Sequence, residues 1–129
     1  MTAVRIAPAM AGALALSGCA SFGPQPASPA QAMAGRWTVD LRPELDAPPY
    51  SQPMELQIAR DGSVSGNFYN SPILAGEAGT GQGRSCVAFR TSDNSGPYHT
   101  SACLDGDRLV GQTWSEGRGF MQPWTGERD

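Results

Sequence analysis

The 129-residue chain contains no lysine, one histidine and three cysteines, and only 16% of its residues are charged. Its nine basic residues are all arginines, and they are scattered rather than clustered. Nucleic-acid binders neutralise phosphates with basic patches, so this scatter argues against that function. It also leaves no polybasic stretch to hold an anionic membrane leaflet. A low charge density with a net charge of −3 excludes a disordered acidic tail. No apolar run approaches the roughly 20 residues that a membrane-spanning helix needs. The candidate stretch, Ile6 to Leu16, has eleven residues and is loosened by Pro8 and Gly12. The length allows one domain. In excess are 16 Gly and 11 Pro, which point to turns between short strands.

Residues 1–18 read as an export signal: a short start with Arg5, an Ala/Leu-rich apolar stretch, then small residues. Leu16-Ser17-Gly18-Cys19 resembles the bacterial lipoprotein box. The resemblance implies lipidation of Cys19, which becomes the first mature residue, and several acyl chains on one residue suffice for stable anchoring. Ala20, rather than Asp, follows the cysteine, which in proteobacterial lipoproteins implies the outer membrane, facing the periplasm or the cell surface. Without Arg5 the mature chain has eight arginines against twelve acids, a net charge of −4. Lipid alone then holds it at the membrane. Residues 19–34 form the lipidated cysteine and a tether containing Pro24, Pro26 and Pro29. Residues 20–33, semi-extended, reach on the order of 40 Å from the membrane.

From Gly35 onward the periodicity is that of strands. Trp37, Val39 and Leu41 alternate with polar residues, as do Met54, Leu56 and Ile58. Asp61-Gly62 marks a two-residue primed turn, after which Val64, Gly66 and Phe68 resume the pattern. Further strands fall at 73–78, 85–91, 98–104, 108–115 and 119–126, with Asp105-Gly106-Asp107 as another tight turn. About eight short strands in residues 35–129 predict an all-β domain. Consecutive hairpins predict an antiparallel up-and-down meander that closes into a small barrel and so removes its edges. Pro43 to Pro53, with four prolines, is expected to be a loop over one end, either a lid or a plain surface loop.

Cys86 and Cys103 flank the turn at residues 93–96, and the midpoint of their positions falls between Asn94 and Ser95. In a symmetric hairpin they face each other, close enough for a disulfide. An oxidising periplasm permits the bond, and closing such a loop stabilises by about 3 kcal/mol on the chain-entropy model. The competing reading, a zinc pair with His99, lacks a fourth ligand. No metal and no cofactor is expected.

Catalytic motifs are incomplete. Ser92-Asp93-Asn94 matches one motif of penicillin-recognising enzymes, but the S-x-x-K and K-T-G partners need lysine. The glycine-rich run from Gly79 to Ser85 fits neither a P-loop nor a dinucleotide fingerprint, and strand-like flanks leave no helix N-terminus for an anion. No nucleophile stands beside a base and no carboxylates pair at a useful spacing, so the chain is not read as an enzyme.

Polar and aromatic residues at strand ends are the stronger candidates for binding. Tyr69, Tyr98, His99, Trp114 and Arg118 sit in three such segments and are expected to line a cup or a contact surface. Alternatively Trp37, Phe68, Phe89, Trp114, Phe120 and Trp124 fill the interior, because an eight-stranded barrel sits at the size where either outcome occurs.

Gly35-Arg36-Trp37, the Asp-Gly hairpin and Gly66-Asn67-Phe68 resemble the opening of avidin and lipocalin-type barrels, a calycin-like architecture. In those families the G-x-W tryptophan plugs the barrel base and an arginine of the last strand stacks on it, which implies these roles for Trp37 and Arg128. Val39 and Phe68 stand where an avidin carries a ligand-binding Asn and a Tyr, so the resemblance covers the fold and not biotin. Gly66 to Tyr69 also looks like the G-x-F-Y-G stretch of barrel domains in transferrin-binding-type surface lipoproteins, with Asn70 replacing the last Gly. Over Gly62 to Arg128 the chain resembles small uncharacterised bacterial envelope proteins. Asp61–Tyr69, Thr91–Tyr98, Gly111–Phe120 and Trp124–Arg128 carry that pattern. Ala34 to Trp37 is similar to the A-G-x-W opening of periplasmic protease inhibitors, which share a small barrel and one disulfide.

These readings converge on a lipid-anchored envelope protein whose barrel binds a small ligand, a cell-wall component or a protein. An inhibitor of an exported protease or lysozyme is the alternative, and a structural envelope lipoprotein the third.

Overall fold

The structure, a computed structural model, describes residues 2–9, 11–13 and 28–129. The lipoprotein box with Cys19, and the tether over residues 20–27, lie outside the described residues. Among the described residues no helix is long and apolar enough to cross a membrane.

Nine strands follow a short 3₁₀ helix (Pro29–Met33): β1 (Gly35–Asp40), β2 (Ser51–Ile58), β3 (Ser63–Phe68), β4 (Ser71–Pro72), β5 (Leu74–Gly81), β6 (Arg84–Asp93), β7 (Gly96–Asp105), β8 (Arg108–Ser115) and β9 (Phe120–Arg128). Every neighbouring pair is antiparallel. Eight of the strands close into an up-and-down barrel, with β1 paired to both β2 and β9, and β4 lies outside the ring. The meander expected from the sequence is therefore the observed fold.

Alternation decides which side chains enter the barrel. Along β8, Leu109, Gly111, Thr113 and Ser115 are buried while Arg108, Val110, Gln112 and Trp114 are exposed. Trp37 and Val39 of β1, Met54 and Leu56 of β2, Val87 of β6 and Leu109 are among the most deeply buried strand side chains of the apolar core. Each such side chain contributes about 1.5–3 kcal/mol by leaving water. Cys86 and Cys103 stand directly opposite in the β6–β7 ladder, with Cα atoms 4.0 Å apart, and form the disulfide. Both belong to the outward-facing rows, so the bond straps the outside of the wall.

One end of the barrel is sealed. Met33, at the end of the 3₁₀ helix, is fully buried, and its carbonyl accepts the Trp37 indole N–H at 2.9 Å. The Arg128 guanidinium lies 4.2 Å from the Trp37 ring centroid and donates to the carbonyls of Ala34 and Ala32. Trp37 and Arg128, paired in the sequence reading, are thus in contact at this end.

Four local features differ from the sequence reading. Within the stretch read as a tether, Pro29–Met33 forms the 3₁₀ helix, and its Ala30 and Met33 are buried under the barrel. The proline-rich loop spans residues 41–50 rather than 43–53, since Ser51 to Pro53 already pair with β1 and proline is tolerated where its missing N–H is not required. The Asp61-Gly62 turn has three loop residues. Ala59 and Ser63 pair across it, the Gly62 N–H returns to the Ala59 carbonyl, and Gly62 takes φ +90° as the bulge residue. Finally, β4 is only two residues long, and β5 carries a bulge between Leu74 and Glu77, with Ala75 at φ +50°.

Candidate functional site

The unsealed end opens into a cup of about 520 Å³. Its floor follows from strand parity. Phe68 lines the cup from below and packs edge-to-face or tilted on the buried rings of Phe89 and Trp124 beneath, with ring centroids 5.7–6.0 Å apart. The Trp124 indole N–H donates to the Thr113 hydroxyl at 3.0 Å, and Thr113 and Thr100 share a hydroxyl hydrogen bond of 2.9 Å. Among the described residues every buried side-chain polar atom has a partner.

Above this floor the walls carry Leu41, Thr91 and Gln122, and the mouth carries Tyr50, Tyr69, Tyr98, Phe120, Asp93 and Arg118. Each mouth residue is fixed by the local chain. The loop over 41–50 is pinched shut by the Leu41 N–H bonding the Tyr50 carbonyl at 2.8 Å, which sets Tyr50 at the rim. Its ring meets Tyr69 edge-on at 6.2 Å, and the two hydroxyls hydrogen-bond. Tyr69 and Asn70 form the β3–β4 turn with φ +54° and +63°, a primed geometry usually left to Asn and Gly. A tyrosine held left-handed costs roughly 1–2 kcal/mol, and here it places an aromatic ring over the cup.

Asp93 is engaged by its own turn. One carboxylate oxygen accepts the Ser95 N–H at 2.7 Å and the other the Tyr98 hydroxyl at 2.8 Å. Arg118 sits on the β8–β9 turn with its guanidinium carbon 5.0 Å from the Phe120 ring centroid. Its backbone N–H donates to the fully buried Ser115 hydroxyl at 3.1 Å, and the Gly119 N–H donates to the Ser115 carbonyl. Gly117 lies so close to the β6–β7 turn that a Cβ there would stand 1.8 Å from the Ser95 carbonyl oxygen. The two turns are thus seated on one another. Just outside the cup, Arg42 pairs with Asp40 at 2.7 Å, and its carbonyl accepts from Gln122. The Arg42 guanidinium and then its backbone N–H, both hydrogen-bonded to Asp40, hold that carboxyl below its ordinary pKa.

Of the five residues singled out from sequence, three meet at the cup: Tyr69, Tyr98 and Arg118. His99 and Trp114 do not. They follow the opposite parity, face each other across the outer surface of β7 and β8 with ring centroids 5.1 Å apart, and His99 contacts Glu116 at 2.8 Å. Trp114 is therefore not an interior filler either. Phe68, Phe89 and Trp124 do fill the barrel, while Phe120 is half-buried at the mouth. Tyr50, Thr91, Asp93 and Gln122 were missed. Stepping by two from Phe89 gives Thr91 and Asp93, and from Trp124 gives Gln122, so strand parity carries the signal for all but Tyr50.

No protein-family model matches this chain, and neither does any curated protein or solved structure.

Proposed function

We propose that this chain is a lipid-anchored envelope protein, carried at the outer membrane by Cys19, whose barrel binds a small, partly apolar ligand. The observation that carries the reading is the asymmetry of the barrel. One end is plugged by Trp37, Arg128 and Met33, and the other opens into the cup of about 520 Å³. Ligand sites are apolar concavities of roughly 300–1,000 Å³ with a few placed polar groups, and this cup has an aromatic floor with hydroxyls and one guanidinium above it. We read a binder rather than an enzyme because Asp93, the cup's carboxylate, is already spent on Tyr98 and Ser95.

The test is titration of the full chain carrying Cys19→Ser with phenylnaphthylamine, a neutral probe that fluoresces in apolar sites. Saturable one-to-one binding is expected, and Thr91→Phe, which fills the cup, should abolish it while leaving cooperative unfolding intact. Equal binding by Thr91→Phe would overturn the small-ligand reading. A second reading rests on the outer row in which Trp114 and Met121 pair across β8 and β9, 48% and 61% exposed. Such a patch suits a protein partner, as an inhibitor of an exported hydrolase would need. Loss of probe binding on Trp114→Gln, but not on Thr91→Phe, would favour it.

A further inference from the structure

We infer that the ligand is a small amphipathic anion, an apolar body bearing one acidic headgroup, and that Arg118 takes the headgroup. This deepens the reading of the cup as a ligand site and rests on it. The two charged residues lining the cup are Arg118 and Asp93. Both oxygens of Asp93 accept hydrogen bonds from its own hairpin, whereas no ion pair joins Arg118 to an acid among the described residues. A ligand that seals the mouth strips water from that guanidinium. A neutral body would leave the charge desolvated and uncompensated, and a cationic one would add repulsion. An acidic headgroup turns the same burial into a charge-assisted pair, which a planar guanidinium makes with two parallel N–H donors.

Arg118 is also held ready to do this. The bond from its N–H to Ser115, the contact of Gly117 with Ser95, and the placement over Phe120 fix the loop before any ligand arrives. A guanidinium over an aromatic face keeps its edge donors for an acceptor in its own plane. Across the mouth, the bonded hydroxyls of Tyr50 and Tyr69 hold two protons between them, and one is used in their mutual bond. The other remains to be donated to a ligand oxygen. Between these polar ends Phe68 and Phe120 offer apolar surface for the body.

The experiment compares anilinonaphthalene sulfonate with phenylnaphthylamine, which differ only in the acidic group, on the full chain carrying Cys19→Ser. At low salt the sulfonate is expected to bind about tenfold tighter, and added salt should narrow the gap. Arg118→Gln should bring the two affinities together by weakening the sulfonate alone, and Arg118→Lys should restore part of the difference. Trp114→Gln, on the outer face, should change neither. Unfolding midpoints of the variants check that each is folded. Equal binding of both probes to the unmutated cup, or an affinity ratio unmoved by Arg118→Gln, would overturn the anion while leaving the cup reading intact. Failure of the neutral probe as well would overturn both.

Discussion

Arg128 shows how one side chain closes a barrel. Its guanidinium covers the buried Trp37 ring and donates to two carbonyls of the chain that passes beneath, at 2.8 and 2.5 Å. Removing it uncovers the indole and leaves Ala32 and Ala34 to water. Arg128→Ala should therefore cost about 2 kcal/mol, from roughly 1 kcal/mol of cation–π contact and a similar amount of hydrogen bonding. Urea unfolding checks this, and an unchanged midpoint would show the plug to be dispensable. Arg128→Lys should recover little, since an ammonium cannot bridge two carbonyls while lying over a ring. The Asp40–Arg42 pair makes a different prediction. Hydrogen bonds from Arg42 lower the pKa of Asp40 in the folded state. A carboxyl depressed on folding adds stability above its unfolded pKa, near 3.9, and loses it as pH falls through the lower folded value. The stability gap between the unmutated chain and Asp40→Asn should thus be constant above about pH 5 and shrink below pH 4. A gap that persists undiminished at pH 2, well below the ordinary carboxyl range, would refute the linkage.

At the scale of elements, the β3–β4 turn separates folding from function. Two-residue turns with both φ positive suit Asn and Gly, and a tyrosine at the first position is strained. Tyr69→Gly relieves that strain but deletes the ring and the hydroxyl bonded to Tyr50. The expected result is stability unchanged or raised by up to about 1 kcal/mol, together with weaker binding of phenylnaphthylamine to the cup. A variant that loses stability and keeps affinity would mean that Tyr69 serves packing alone. This turn also shows where sequence reasoning stops. Alternation over β1, β2 and β3 is legible because one hydrophobic face per strand must meet the core, and the centred spacing of Cys86 and Cys103 agrees with the β6–β7 register. The two-residue β4 is too short to carry a period, and the bulge at Leu74–Glu77 breaks the period of β5. His99 and Trp114 resemble Tyr98 and Tyr69 in chemical type, yet adjacent residues on a strand face opposite ways, so chemistry without parity leaves two of the five outside. Tyr50 reaches the cup only through loop closure, which no local pattern records.

At the scale of the whole molecule, the plug and the cup lie at opposite ends of the barrel, and the chain leading from Cys19 enters at the plug. The β7–β8 turn around Gly106 marks that end, because Asp105 and Arg108 align with Glu127 beside the Trp37–Arg128 contact. The β6–β7 turn at Asn94-Ser95 marks the mouth. Residues 20–28 stand between Cys19 and the 3₁₀ helix that docks on the base. The proposed anchor at Cys19 would hold the base towards the bilayer and turn the cup outwards, where a dissolved ligand would reach it without crossing lipid. A fluorophore on Asp107→Cys at the base should transfer energy to an acceptor at the surface of lipid vesicles more efficiently than one on Ser95→Cys at the mouth. The strands rise ~3.3 Å per residue at a tilt near 40°, which sets the two positions on the order of 25 Å apart along the barrel axis. Equal transfer from both sites would show that the tether lets the barrel turn freely, and the reverse order would place the cup against the membrane. Cys19→Ser should abolish transfer from either position by freeing the protein from the vesicles. Retained association would instead mean that some other part of the chain binds lipid and that Cys19 is not the anchor.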